Sequence, residues 1–538
     1  MEKQKIQAQS VLGGTLILLL ATGMVKLIGA FFKIPLVNLI GDSGMGYFSA
    51  GYSVYSGVFI IATAGLPVAV SRMVSEGMAR GRLRETKRIF HVAYLIFLSI
   101  GILGSCALFF GARKIESVTK YEGTYMVIQA IAPAILFVSL MSVYRGFFQG
   151  MRNMVPTAVS EVVEALGKLI VGYLLAYLLI GISDRVAATG AMTGVTFGTL
   201  AGFVVLACLY FRHKKTIYTG MDKTQPVRSR RQILLELIKI AIPITISASV
   251  FTLTNLTDTA LVGIRLDSIK EYLQETPVEL FGRYTGKAVT MYNMPPTLVT
   301  SLCLALVPAV ARAFTLGNKR EVRDTAQQAL KMTTMFALPC AVGMAALAPP
   351  ILQLLFGTAD AALMLRLLCP AILFVSLVLV CNSLLQATGN VWIPVVNILF
   401  AGIVKVVVNW ILVGIPSINI NGAAVGTTSC YFVYMSLNLF YVMKITKANP
   451  FRGLLKSLIA VAVMGVAAWG VYALGDALLP GDGRIIVGVK LVAGIGVGAV
   501  VYGMLLLATG AICKEDILVL PKGETIAALL QKMKLLKG

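Results

Sequence analysis

The chain has 538 residues, of which 57% are hydrophobic and only 13% are charged, and its mean hydropathy is +0.84. Soluble domains carry about 25% charged residues, so these values exclude an ordinary soluble protein and predict a membrane protein. The eight cysteines show no pairing or metal-binding spacing, and the chain has two histidines. We therefore expect neither a disulfide scaffold nor a metal centre or other bound cofactor.

Fourteen apolar stretches follow one another along the chain, each long enough to cross a bilayer as a helix. They lie near 11–40, 46–71, 89–110, 125–147, 155–181, 189–211, 233–263, 287–311, 325–347, 362–387, 392–414, 421–443, 456–476 and 485–509. With a cytoplasmic N-terminus, the inner loops hold most of the 47 Lys and Arg residues, which predicts that both termini are cytoplasmic. The net charge of +23 is then a topology signal, and nucleic-acid binding is not expected.

Two parts of the sequence repeat each other. PAILFVSLMSVYRGFFQGMRN from Pro133 returns as PAILFVSLVLVCNSLLQATGN from Pro370, an offset of 237 that also brings Lys168 onto Lys405. Later in each repeat, Gly194-Val195-Thr196 corresponds to Gly426-Thr427-Thr428. Six spans per repeat is an even number, so both halves start from the same face of the membrane. A pseudo-two-fold axis along the membrane normal is predicted.

The repeat and the charge pattern predict an all-α polytopic membrane protein in five parts. These are an N-terminal six-helix lobe at 1–211, a basic cytoplasmic linker at 212–232, a C-terminal six-helix lobe at 233–443, two additional transmembrane helices at 444–509 and a cytoplasmic amphipathic tail at 510–538. Parallel lobes favour an alternating-access transporter over an enzyme. A membrane enzyme is the alternative, and it would use the acids of the outer loop at 264–286, whose spacing is typical of a solvated interfacial helix.

Ionisable residues inside the spans are candidates for function, because an unpaired charge is costly in a bilayer. Lys26 and Lys33 share one face of the first span, with snorkelling to the headgroups as the alternative. On the fifth span Glu161, Glu164 and Lys168 share a face, and their spacing allows Glu164 to pair with Lys168. An internal ion pair without further function is the competing interpretation of this group.

The later spans hold fewer charges. Lys405 lies with Asn397 and Asn409 on the eleventh span, and Asp258 follows Asn255 on the seventh as a counter-ion or a proton or sodium site. Arg145 lies near a span end and is interpreted as a topology residue. Span interiors hold more lysines than acids, which predicts an anionic substrate; the lysines are Lys26, Lys33, Lys168, Lys405 and Lys490, and the acids are Glu161, Glu164 and Asp258.

Several segments resemble one branch of bacterial transporters. They are KLIGAFFKIPL from Lys26, GDSGMGYFSAGY from Gly41, AGLPVAVSRMVSEG from Ala64, GFFQGMRNMVPTAVSEVVE from Gly146 and YTGKAVTMYNMPPTLVTSLCLALVPAVARA from Tyr284. These segments resemble the stage V sporulation protein B branch of the polysaccharide-biosynthesis proteins. That branch belongs to the multidrug/oligosaccharidyl-lipid/polysaccharide (MOP) superfamily, which also holds the MurJ lipid II flippases and the MATE antiporters.

The resemblance implies a multi-pass flippase of the bacterial inner membrane that moves an undecaprenyl-pyrophosphate-linked saccharide for cell-wall synthesis. It places Lys26, Lys33 and Asp258 at the substrate cavity, where MurJ proteins carry arginines instead of the two lysines. Our full set of substrate candidates is Lys26, Lys33, Lys168, Lys405, Asn255 and Asp258. The ion-coupling candidates are Asp258, Glu161 and Glu164, with Na⁺ and H⁺ both open.

Two other functions stay open at this point. One is a MATE-like ion-coupled exporter of small molecules, whose cavity would be acidic. The other is a membrane scaffold that recruits cell-wall synthesis proteins. In each case we expect a monomer whose partners are membrane lipids and, for the flippase, an anionic lipid-linked saccharide.

Overall fold

A computed structural model describes residues 11–219, 227–450, 454–479 and 483–510, together with residues 222, 224 and 481. Over these residues the chain is all-helical. The helices are α1 (Val11–Thr63), α2 (Gly65–Ala79), α3 (Leu83–Thr119), α4 (Tyr125–Gly150), α5 (Val155–Leu179), α6 (Asp184–Ile217), α7 (Arg230–Ser268), α8 (Pro277–Arg283), α9 (Val289–Thr315), α10 (Lys319–Ala346), α11 (Ala348–Phe356), α12 (Ala362–Ala387), α13 (Trp392–Leu412), α14 (Asn421–Thr446), α15 (Leu454–Leu478) and α16 (Arg484–Ala508).

Ten helical segments of the described chain are long and apolar enough to cross a membrane. The polytopic all-helical fold is therefore confirmed, whereas the count of fourteen spans, the symmetry axis and the side of each terminus stay predictions. The predicted tail at 510–538 lies, apart from Gly510, outside the described residues.

The chain divides into two compact units, Met1–Gly286 and Lys287–Gly538. In the first unit α7 packs against α1, α2 and α3, although the sequence repeat assigns α7 to the second lobe. The two units are defined by contacts between residues, whereas the predicted lobes are defined by the sequence repeat. The lobe boundaries therefore stay predictions. In the second unit α12 packs against α9, α10 and α14, and α15 packs against α16.

The helix α1 is two helices joined at a kink. Gly41 has φ 67° and ψ −173°, a conformation that favours glycine, and it follows the end of the first predicted apolar stretch at 40. Beyond the kink, the short helix α8 lies directly against α1. A Cβ built on Gly282 would be 1.8 Å from the backbone oxygen of Asp42, so two backbones meet here with no room for a side chain.

The sequence repeat is matched by a repeated hydrogen bond. Thr196 Oγ1 on α6 donates to the carbonyl oxygen of Ala130 at 2.7 Å, and Thr428 Oγ1 on α14 donates to that of Leu367 at 2.7 Å. Ala130 and Leu367 are separated by the repeat offset of 237, and both threonines belong to the matched Gly-rich segments. The two units therefore use the same contact between equivalent helices.

The predicted basic linker holds a structural ion pair at its end. Arg228 bonds the carboxylates of Glu85 at the start of α3 and Glu236 on α7, and Glu85 is buried. Arg88 Nη1 also donates to the backbone oxygen of Arg228 at 3.0 Å. Arg228 thus links the start of α7 to α3, in addition to adding positive charge to the linker.

Candidate functional site

A cavity of about 570 Å³ lies inside the first unit, bounded mainly by α1, α4 and α5, and we call it the charged cavity. Its charged lining residues are Lys26, Arg145, Glu161, Glu164 and Lys168, and its aromatic lining residues are Phe32, Tyr52, Tyr55 and Phe59. Three cations and two carboxylates leave one net positive charge. The cavity therefore combines a cationic site with a wall of aromatic rings.

Arg145 on α4 bonds the acid whose spacing allows it to pair with Lys168. Its Nη2 donates to Glu164 Oε2 at 2.9 Å, and its Nε donates to Ser160 Oγ at 3.1 Å. The Glu164–Lys168 pair is therefore not formed, because the guanidinium of a neighbouring helix reaches the carboxylate. The interpretation of Arg145 as a topology residue is wrong, since its side chain lies in the cavity.

Lys168 on α5 lies against aromatic rings instead. Its Nζ is 5.1 Å from the ring centroid of Phe32 and 4.8 Å from that of Tyr52. The negative π faces of these rings attract the ammonium without cancelling its charge. Lys168 thus keeps a positive charge directed at the cavity.

The two lysines of α1 have different surroundings in the structure. Lys26 lines the charged cavity and is exposed, as a cavity role requires. Lys33 Nζ donates to the backbone oxygen of Thr285 at 3.1 Å, just after α8. The charge of Lys168 acts on Lys33, so Lys33 contributes to the positive potential near the cavity.

Glu161 and the aromatic side chains complete the lining. Glu161 is half-buried, and the charges of Arg145 and Glu164 act on it. The rings of Tyr52, Tyr55 and Phe59 follow each other along α1, with centroid distances of 5.7 and 5.5 Å. Their spacing of three and four residues is that of one helix face, but aromatic residues do not stand out within an apolar stretch of sequence.

The acid of α7 lies away from this group. Asp258 is half-buried and acts electrostatically on Tyr121, which lies in the loop between α3 and α4. Burial raises the pKa of Tyr121, and the negative charge of Asp258 raises it further. Tyr121 OH also donates to the backbone oxygen of Thr259 at 3.3 Å. The neighbouring candidate Asn255 lies on α7, but its side chain is outside the described part of the structure.

In the second unit an amide stands at the position equivalent to Arg145, whereas the positions equivalent to Glu161 and Glu164 are Ile398 and Ala401. Asn397 Nδ2 donates to Asn438 Oδ1 at 2.7 Å, and Asn438 Nδ2 donates to Asn382 Oδ1 at 2.8 Å. The repeat offset of 237 brings Arg145 onto Asn382. The position of Arg145 thus belongs to a neutral hydrogen-bond network in the second unit, where the Glu164 carboxylate has no equivalent.

Lys405 is buried on α13 of the second unit, and so is Asn409 one turn further along. A Cβ on Gly426 of α14 would be 1.8 Å from Asn409 Oδ1, so glycine is needed for this amide to fit. The role of Lys405 at the substrate stays a prediction.

Lys490 is accounted for by a local partner. Its side chain is 1% exposed and its Nζ donates to Asp476 Oδ1 at 2.7 Å, between α16 and α15. Its contribution to the predicted cationic surplus is therefore neutralised. Among the described residues, no group of three or more His, Cys, Asp or Glu side chains is placed to hold a metal ion.

Sequence comparison relates the chain to known bacterial proteins. The family model described as lipid II flippase MurJ matches residues 71–481. Stage V sporulation protein B of Bacillus subtilis (strain 168) is 26% identical over 520 residues, which cover 95% of this chain and 98% of the relative. Lipid II flippase MurJ of the same organism is also 26% identical over 520 residues, covering 92% of this chain and 94% of the relative.

Two solved structures show the same fold. Lipid II flippase MurJ in an inward closed conformation has a TM-score of 0.67 at 14% identity, covering 91% of this chain and 99% of that chain. An inward-facing multidrug resistance transporter of the MATE family also has a TM-score of 0.67 at 14% identity, covering 79% of this chain and 94% of that one. This likeness supports the predicted all-helical polytopic membrane fold.

Proposed function

This chain belongs to the lipid II flippase MurJ family, and from that premise we propose that it moves an undecaprenyl-pyrophosphate-linked saccharide from the cytoplasmic to the outer leaflet of a bacterial membrane. Such a substrate has three parts: an anionic pyrophosphate, a polar saccharide and a long apolar chain. Only the first two parts need a protected path across the bilayer, since the chain is as apolar as the lipid around it.

The observation that carries this proposal is the environment of Lys168. Arg145 occupies the carboxylate of Glu164, while Phe32 and Tyr52 hold the Lys168 ammonium by their π faces. A carboxylate partner would neutralise the lysine, but an aromatic ring leaves its charge available to an anion. This arrangement supports binding of a phosphate group in a partly desolvated cavity.

Lys26 and Arg145 extend the same site. Lys26 supplies a second ammonium, and Arg145 supplies a planar guanidinium that can bond two phosphate oxygens at once. Lys33 lies close enough to add to the attraction without lining the cavity.

The proposal is tested by binding in nanodiscs. Purified protein is titrated with undecaprenyl pyrophosphate and, in parallel, with undecaprenol, which lacks the charge. We expect Lys168→Gln and Lys26→Ala each to weaken pyrophosphate binding about ten- to hundredfold, because a charge-assisted bond contributes roughly 1.5–3 kcal/mol. Lys168→Arg should retain most of the affinity, since it restores the charge.

Lys114→Gln is the matched control, because Lys114 is an exposed lysine near the end of α3. It should leave binding unchanged. Equal affinities of the wild type for undecaprenyl pyrophosphate and undecaprenol, or equal affinities of wild type and Lys168→Gln, would contradict the proposal.

A MATE-like exporter of organic cations is the second candidate. The two carboxylates in the charged cavity and the MATE-like fold favour it. Its test is the binding of tetraphenylphosphonium, which should depend on Glu161 and be lost in Glu161→Gln. Binding of this cation together with no binding of undecaprenyl pyrophosphate would replace the flippase proposal by this one.

A further inference from the structure

One wall of the charged cavity is a row of aromatic rings, of which only the first, Tyr52, also contacts Lys168 of the pyrophosphate site. Tyr52, Tyr55 and Phe59 are in successive ring contact along α1, and all three line the cavity. Tyr55 is almost completely buried, while Tyr52 is 37% exposed and Phe59 is half-buried. We call these three residues the aromatic row.

The aromatic row begins at the cationic site. Tyr52 contacts Lys168 at one end, and Phe59 lies seven residues further along the helix. Seven residues of α-helix rise about 10 Å, a length comparable to two linked pyranose rings. A ligand whose phosphate is bound by Lys168 would thus place its next chemical group along the row.

Aromatic faces and polar groups together are suited to sugars. One face of a pyranose ring is made of C–H groups, which carry slight positive charge and pack on the negative face of an aromatic ring. The hydroxyl groups at the edge of the sugar then need hydrogen-bond partners. Glu161, Ser56 and Thr252 line the same cavity and can accept or donate such bonds.

Glu161 fits this role better than Glu164. Arg145 bonds Glu164, whereas no described side chain donates a hydrogen bond to the carboxylate of Glu161. A carboxylate that lines a cavity in this way can accept two hydroxyl hydrogens at once. The first unit therefore offers aromatic rings and a hydrogen-bond acceptor in the lining of one cavity.

We propose that the aromatic row and Glu161 together form a saccharide-binding subsite that recognises one or two sugar rings of the substrate. The subsite rests on the proposed function in one respect, since the pyrophosphate at Lys168 would position the sugar. Saccharide binding itself can be measured without the lipid.

The experiment compares three probes in nanodiscs without glycoside detergents, which would occupy such a site. The probes are undecaprenyl pyrophosphate, the same lipid carrying a β-1,4-linked disaccharide, and the free disaccharide chitobiose. We expect the wild type to bind the glycosylated lipid more tightly than the bare one. Phe59→Leu should reduce this preference about three- to tenfold and leave the affinity for the bare lipid unchanged.

Two variants serve as controls. Phe59→Tyr keeps the ring and should keep the preference. Phe110→Leu removes a ring that is 82% exposed on α3 and should change nothing. Because Phe59 also packs against the core of the first unit, the ratio of the two lipid affinities within each variant corrects for any loss of folded protein.

The outcomes separate the two proposals. If bare lipid binds in a Lys168-dependent way but the preference for the glycosylated lipid is the same in Phe59→Leu as in the wild type, the saccharide subsite is overturned and the flippase proposal stands. If chitobiose binds and Phe59→Leu abolishes its binding, while neither lipid depends on Lys168, the subsite stands and the pyrophosphate proposal fails.

Discussion

The Arg145 guanidinium on α4 bonds the Glu164 carboxylate on α5 at 2.9 Å, and this contact decides the state of Lys168 one turn further along. Four residues separate Glu164 from Lys168, a spacing that allows a carboxylate and an ammonium to pair on one helix. With Glu164 held by Arg145, Lys168 instead contacts Phe32 and Tyr52. A contact between two helices thereby keeps a cation available inside the cavity.

Replacing Arg145 should therefore also make the positive charge of Lys168 unavailable to the substrate. In Arg145→Gln the carboxylate of Glu164 is released and pairs with Lys168, so the cavity loses two available positive charges. We expect the affinity for undecaprenyl pyrophosphate to fall at least tenfold, since one charge-assisted bond is worth roughly 1.5–3 kcal/mol.

The double variant Arg145→Gln with Glu164→Gln gives the control. It removes the charges of both Arg145 and Glu164, so no carboxylate is left to pair with Lys168. The affinity for undecaprenyl pyrophosphate should therefore be partly restored relative to Arg145→Gln. Binding measured in nanodiscs for the wild type, both single variants and the double variant forms a mutant cycle. Equal affinities for Arg145→Gln and the double variant would contradict the competition between Arg145 and Lys168 for Glu164.

The repeated hydrogen bonds should contribute equally to stability. Thr196→Val and Thr428→Val each remove one bond of 2.7 Å to a backbone oxygen of a neighbouring helix. Such bonds between membrane helices contribute about 0.6 kcal/mol on average, and rarely as much as about 1.7 kcal/mol. Thermal unfolding in detergent should show a small decrease of similar size for both variants. A decrease for only one of them would mean that the two positions are not equivalent.

The contact of α8 with α1 should tolerate no added atom. A Cβ on Gly46 would be 2.1 Å from the backbone oxygen of Val278, and one on Gly282 would be 1.8 Å from that of Asp42. Backbone cannot move aside as a flexible side chain can. We expect Gly46→Ala and Gly282→Ala each to lower the free energy of unfolding by about 1–3 kcal/mol or more.

Gly23→Ala on α1 provides the comparison, because nothing lies within 4 Å of the added Cβ. Alanine favours the helix over glycine by up to about 1 kcal/mol, so this variant should be neutral or more stable. Thermal unfolding of the three variants tests the difference. Similar stability for Gly23→Ala and Gly282→Ala would show that the close approach does not matter.

The pair of Lys490 with Asp476 should act on stability and leave substrate binding alone. Asp476→Asn removes the carboxylate from an ammonium whose side chain is 1% exposed. The cost should be on the order of 1–3 kcal/mol, less than for a fully buried pair because Asp476 is 61% exposed.

Replacing both members, as Lys490→Met with Asp476→Asn, should restore most of the lost stability, since no buried charge is left unpaired. Thermal unfolding gives the stability, and the undecaprenyl pyrophosphate titration gives the binding. If Lys490→Met folds normally but binds undecaprenyl pyrophosphate more weakly, Lys490 takes part in substrate binding and this prediction is wrong.

The amino-acid sequence is enough to predict the membrane location, the helical fold and the repeat. These follow from local properties, because an apolar run of about 20 residues must be helical in a bilayer to satisfy its own backbone. It also placed Lys26 and Lys168 among the candidates, since any charge inside such a run stands out. The spacing of Glu164 and Lys168 could suggest a pair but could not exclude a better partner.

Which charges meet depends on how the helices pack against one another. Arg145 and Glu164 are 19 residues apart on different helices, and the approach of α4 to α5 brings them within 2.9 Å. In the same way, Asp476 neutralises Lys490 across two helices. The rings that contact Lys168 come from both sides of the kink at Gly41, Phe32 before it and Tyr52 after it. Periodicity gives the face of one helix, whereas the partner of that face depends on how the helices pack.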